Sequence, residues 1–223
     1  MNTSIRGREI KAALAGFVTL VALAGIIFNT GCATGSGQIS ADTSPCCAME
    51  LTATTPLSDK SLYHLDSSWT SDTHAVLKLG ALRGRPQIVT MFFASCEYAC
   101  PILVHDIKKI EAALPEAVRT NVGFVLVSFD SDRDTPAALA SYRKTHELAA
   151  NWTLLRGAPD DVLELAALLG VKFKKDLRGQ FAHSNIITVL DANGEVVLQQ
   201  IGLNGDAAPT AAALQKLLPR SDQ

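Results

Sequence analysis

Residues 87–114 read QIVTMFFASCEYACPILVHDIKKIEAAL, and the change of period inside this stretch decides the fold. Gln87 to Phe93 is a short apolar run that follows Gly84-Arg85-Pro86 and includes the β-branched residues Ile88, Val89 and Thr90. Its length and composition are those of a buried strand. From Pro101 onward the apolar residues Ile102, Leu103, Ile107, Ile110, Ala113 and Leu114 fall mostly at helical spacing, until Pro115 ends the pattern. The stretch is a strand that turns into a helix, with two cysteines at the turn.

Reading outward, the alternation continues. Val122 to Phe129 is a second buried strand, and Thr135-Pro136 opens a helix that runs to about His146, with Thr as N-cap and Pro at the first helical position. Asn151 to Arg156 predicts a third strand, and Pro159 to Leu169 a helix closed by Gly170. Ser184 to Leu190 and Glu195 to Ile201 are strands joined through Asp191-Ala192-Asn193-Gly194, where Asn-Gly is a hairpin signal. Ala207 to Leu218 is the last helix. Upstream, Ser61 to Leu65 and Val76 to Leu79 alternate enough to suggest a small hairpin around Ser71-Asp72. The fold class is therefore α/β: a thioredoxin-like mixed sheet flanked by helices, with a small N-terminal hairpin extension, over residues 59–223.

The chain has 223 residues, 48% apolar and 19% charged, which suits one globular domain with appendages. Its 20 Lys and Arg against 22 Asp and Glu include no basic run able to neutralise a row of phosphates, so nucleic acid is excluded as a first partner. Arg6, Arg8 and Lys11 precede an uncharged run from Ala12 to Phe28, which reads as an export signal or membrane anchor over residues 1–31. Thr30-Gly31-Cys32 resembles the end of a bacterial lipobox, although Asn29 stands where Leu is usual; Cys32 is then the lipidated residue. An uncleaved single span is the other reading. Either places the domain in the bacterial cell envelope, on the periplasmic face of a membrane. Residues 32–58 have the composition of a flexible tether and contain the adjacent Cys46 and Cys47, a redox-active or adventitious pair or a soft metal ligand.

Cys96 and Cys100 carry the chemistry. If both lie in the first helical turn, four residues advance the chain about 6 Å and rotate it some 400°, so both sulfurs emerge on one face. That spacing serves a dithiolate metal site or a disulfide. Unpaired N–H groups at a helix start lower a thiol pKa, which favours metal binding and thiol exchange alike. A purely structural disulfide would close a loop of five residues and stabilise little. Structural zinc wants four ligands, and no second Cys or His pair appears in the folded region. Two thiolates plus one imidazole suit copper, as Cu(I) or Cu(II). His183, just before an apolar strand, is the best placed histidine; His64, His74, His105 and His146 read as surface or helix-end residues.

Three stretches together resemble the Sco/SenC family of membrane-tethered, thioredoxin-fold copper proteins: Phe93 to Pro101, Leu126 to Pro136, and His183-Ser184 ahead of the Asp191 to Gly194 hairpin. The resemblance implies copper held by Cys96, Cys100 and His183. It also implies a role in metallating the dinuclear copper site of cytochrome c oxidase, with that oxidase's copper-site subunit or another cuproprotein as partner. Between the cysteines the family usually has Pro-Asp-x, whereas this chain has Glu97-Tyr98-Ala99. Asp130, Arg133 and Asp134 match a family motif too, and read equally well as turn and capping residues before Pro136; they are not counted as ligands. The competing function is a thiol:disulfide oxidoreductase with Cys96 and Cys100 as the redox dithiol. A thiol peroxidase needs a single activated cysteine and fits less well.

Overall fold

The computed structural model describes residues 56–218. The export signal, Cys32, Cys46 and Cys47 lie outside the described residues. After a 3-10 turn at Leu62–His64 come β1 (Trp69–Ser71) and β2 (Val76–Leu77), then a second 3-10 turn at Leu79–Leu82. The central part runs β3 (Gln87–Phe92), α1 (Ala99–Ala113), the short α2 (Glu116–Arg119), β4 (Gly123–Ser128), α3 (Pro136–Thr145), β5 (Trp152–Arg156) and α4 (Pro159–Leu168). It closes with β6 (Phe173–Lys175), β7 (Phe181–His183), β8 (Ile186–Leu190), β9 (Val196–Ile201) and α5 (Ala207–Leu217).

Seven strands form one sheet in the order β2-β1-β5-β4-β3-β8-β9, and β6 pairs with β7 in a separate two-stranded ribbon. β3 is parallel to β4, and β4 to β5, whereas β8 runs antiparallel to β3 and β9 antiparallel to β8. Every residue of β3 and β4 is buried, so both faces of the sheet centre are covered. The C-terminal end of β3 is therefore a fixed platform for whatever follows it. The predicted caps form: the Thr135 hydroxyl accepts from the N–H of Ala138, and Gly170 takes the left-handed φ of +68° that ends α4. Among the described residues no helix is long and apolar enough to cross a membrane.

Two departures from the sequence reading matter. The N-terminal hairpin exists, but its first arm is Trp69–Ser71 rather than Ser61–Leu65. Ser61 caps a 3-10 turn by accepting from Tyr63 N–H, while Trp69, wholly buried, anchors the strand that pairs both with β2 and with β5. The second departure is the ribbon β6–β7, for which the sequence carries no periodic signal.

Candidate metal centre

Beyond β3 the chain turns, with the N–H of Cys96 donating to Phe93 O at 3.2 Å. Helix α1 begins at Ala99 with Tyr98 at its N-cap, and the Tyr98 side chain makes no capping bond. Cys96 thus lies before the helix and only Cys100 inside it, which corrects the expectation that both occupy the first turn. The sulfurs approach for a different reason. The N–H of Cys100 donates to Cys96 Sγ at 3.3 Å, so the sulfur takes the place of a capping oxygen on one of the orphan donors of the helix start. Cys100 is fully buried, Cys96 is half-buried, and both are free thiols.

His183 comes from the far end of the chain. It is the last residue of β7 and pairs with Phe173 across the ribbon, rather than standing in a loop before β8 as the sequence suggested. Phe173 stacks on Phe129 with centroids 5.0 Å apart, and Phe181 meets Phe93 and Phe129 at 5.1 and 5.0 Å. These contacts seat the ribbon against the end of the sheet. The His183 ring packs beside Phe129 at 5.1 Å. Its Nδ1 lies 3.0 Å from Ser184 O. A carbonyl oxygen only accepts, so Nδ1 carries the proton and Nε2 presents a lone pair. That lone pair faces Cys100 Sγ at 3.8 Å, and the ligand atoms of Cys96, Cys100 and His183 all lie within 4.8 Å of one another.

The two thiols are tuned apart. A hydrogen bond from the Cys100 thiol, joined by the backbone N–H groups of Cys100 and Tyr98, holds Cys96 down at about 4 against the opposing cost of burial. The same sulfur–sulfur bond, together with burial, pushes Cys100 far above the ordinary thiol range. The pair is therefore one half-buried thiolate backed by one buried thiol. Two sulfurs and a neutral imidazole nitrogen are soft and borderline donors, a set that fits copper better than any hard cation. The donor count of three leaves room for an incoming ligand.

The other histidines stay apart from this cluster. His64 is exposed with Nε2 2.9 Å from Ser58 O, His74 sits in the β1–β2 turn at φ +66°, His105 is exposed on α1, and His146 ends α3 against the Tyr142 ring at 4.1 Å.

The SCO1/SenC family model matches residues 65–219. The chain belongs to this family. A Stutzerimonas stutzeri protein provisionally named as copper-binding is 25% identical over 146 residues, covering 62% of this chain and 67% of that protein. Among solved structures, Bradyrhizobium japonicum ScoI with copper bound superposes with a TM-score of 0.59 at 22% identity, covering 68% of this chain and 97% of that one. BsSco, a member of the Sco family of cytochrome c oxidase assembly proteins in which a disulfide switch was identified, gives 0.60 at 19% identity, covering 67% and 90%. At these identities the structural matches establish the thioredoxin-like SCO1/SenC fold.

The same fold gives the Asp130–Pro136 segment a task that its sequence did not reveal. Asp134, buried, accepts from Ala94 N–H at 2.8 Å and from the Ser128 hydroxyl at 2.5 Å, tying the cysteine loop to the end of β4. Burial raises its pKa. Arg133 donates from Nε to the buried carboxylate of Asp130 and from Nη2 to Gly179 O, in the turn of the ribbon that carries His183. None of the three touches the ligand atoms, which agrees with leaving them out of the ligand set.

Proposed function

We propose that this SCO1/SenC protein is a membrane-tethered copper chaperone in which Cys96, Cys100 and His183 hold copper and pass it to a cuproprotein, the dinuclear copper site of cytochrome c oxidase being the client. The observation that carries the reading is the convergence of two sulfurs and one imidazole lone pair, from segments more than eighty residues apart, within 4.8 Å. Copper bound to ScoI, and the place of BsSco among cytochrome c oxidase assembly proteins, support the cargo and the client. In this chain the residues have separable tasks: Cys96 offers a thiolate at neutral pH, Cys100 a buried sulfur, and His183 a nitrogen whose tautomer is fixed from behind. Copper held by these three donors would pass to a partner by ligand exchange, each donor–metal bond that breaks being replaced by one to a partner thiolate. Residues 1–31 as signal or anchor, Cys32 as lipidation site, and residues 32–58 as tether would hold the domain at the periplasmic face.

The contrast between the two thiols supports a second activity at the same site, thiol:disulfide exchange. The Cys96 thiolate attacks a partner disulfide, forming a mixed disulfide and releasing one partner thiolate. Cys100, on losing its proton, attacks Cys96 Sγ and releases the second partner thiolate. Two electrons pass to the partner, and the Cys96–Cys100 disulfide remains.

His183→Ala separates the two. Metal analysis after dialysis should show stoichiometric copper in the wild type and a loss in the variant, while reduction of a model disulfide persists. Equal copper in both proteins refutes the chaperone reading.

A further inference from the structure

The metal centre is assembled from two segments with no covalent reason to stay in register: the Ala94–Cys100 turn at the end of β3, and the ribbon Phe173–His183. One loop, Ser128–Thr135, holds both. On one side the Asp134 carboxylate binds Ala94 N–H, two residues before Cys96, and is itself fixed by Ser128. On the other side the Arg133 guanidinium spans from Asp130 to Gly179 O at the ribbon turn, and its carbon lies 5.9 Å from the centroid of the Phe181 ring, two residues before His183. Lys175 adds a second tie, with Nζ 3.6 Å from Asp130 and 3.3 Å from Asp132. Gly179 adopts φ +78°, and a Cβ there would stand 3.3 Å from Arg133 Nη1, so the turn leaves its carbonyl open to the guanidinium.

We infer that Arg133 is a positioning residue: through Gly179 it clamps the β6–β7 ribbon onto the cysteine loop and so sets the distance at which His183 meets Cys100. The inference rests on the copper reading of the site. Asp134 fixes the sulfur side whether or not the ribbon is in place, so loosening the ribbon moves the imidazole and leaves the thiolate where it is. The link is open to mutation without cutting the core, because the Arg133 side chain is 38% exposed and none of its partners belongs to the main sheet.

The test compares wild type, His183→Ala, Arg133→Ala and Arg133→Lys as full chains loaded with copper(II). Copper affinity, nitrogen hyperfine structure in the electron paramagnetic resonance spectrum, and the iodoacetamide rate at Cys96 by peptide mass mapping are measured. Loss of an outer partner of a metal ligand typically costs 10- to 100-fold in affinity. Arg133→Ala should therefore bind copper about 10- to 100-fold more weakly and lose nitrogen hyperfine intensity, with the Cys96 rate within about twofold of wild type. Arg133→Lys keeps a charge that reaches one partner but not the fork that bridges two, and should fall between. Wild-type affinity and spectrum in Arg133→Ala would overturn the inference while leaving the chaperone reading intact. Failure of the wild type itself to hold copper would instead refute that reading. An equal fall of copper affinity and Cys96 rate in both Arg133 variants would show general collapse of the loop and would also overturn it.

Discussion

At the scale of single residues, the site works because two chemically identical side chains sit in different surroundings. Cys96 is half-buried at a helix start with donors aimed at its sulfur; Cys100 is one turn inward, sealed from water and donating to its neighbour. Alkylation needs the thiolate. For Cys96 the folded pKa lies below the ordinary value, so the thiolate persists as pH falls through 8, 7 and 6 and is lost only near 4. The iodoacetamide rate at Cys96, read by mass mapping between pH 3 and 9, should be flat above about pH 5. A tenfold rise per pH unit up to pH 8 would contradict the tuning, because that is the behaviour of an unperturbed thiol. The cysteines and His183 were legible in the sequence through residue type and spacing. What was not legible was the means of convergence: Cys96 stands outside the helix and is brought in by a backbone N–H donating to sulfur, a bond with no sequence signature.

At the scale of elements, the ribbon β6–β7 is the part that reading by periodicity could not find. Its arms are three residues each, Phe173-Lys174-Lys175 and Phe181-Ala182-His183, too short for an alternation to stand out, and Lys175 occupies an inward register position opposite Phe181. The aromatic rings give it away only in three dimensions, because Phe93 and Phe129, which receive Phe173 and Phe181, sit at the ends of strands far away in sequence. The long apolar runs of β3 and β4 and the capped helices were readable because each carries its own period. Phe181→Ala removes a half-buried ring that touches three others. A fully buried Phe truncated to Ala costs about 3–5 kcal/mol, so about 1–2 kcal/mol is expected here. Because the ribbon can open without the sheet, the loss should appear as roughly tenfold faster amide exchange across residues 173–183, each 1.4 kcal/mol being a factor of ten. Unchanged exchange in the ribbon would mean that the aromatic seat does not hold it.

At the scale of the whole molecule, the site is a product of the long-range pairings that close the sheet. β8 beside β3 sets where the chain leaves β7, and the N-terminal hairpin seals the opposite edge by pairing β1 with β5, a partner that no local pattern in the sequence could indicate. One polar device secures that edge. Arg143 on α3 grips the buried carboxylate of Asp72 with Nε and Nη2, and also donates to the carbonyls of Ala149 at 2.8 Å and Trp152 at 2.7 Å. Asp72 in turn donates its N–H to Leu154 O at 3.0 Å. Asp72→Ala removes a bidentate charged pair but leaves Arg143, 23% exposed, with the carbonyl acceptors of Leu148, Ala149 and Trp152 and access to water. The cost is therefore that of lost charged hydrogen bonds, about 2 kcal/mol, rather than that of a stranded charge. For a domain of this size that lowers Tm by about 4–8 °C, at 2–4 °C per kcal/mol. Arg143→Lys, which keeps charge and loses the fork, should recover part of the difference. The copper site lies at the other side of the sheet centre, so copper affinity and the Cys96 alkylation rate of Asp72→Ala should match wild type below the melting transition. A fall in either at 25 °C would mean that the edge and the site are mechanically coupled, and that the rigid platform at the end of β3 transmits rather than isolates.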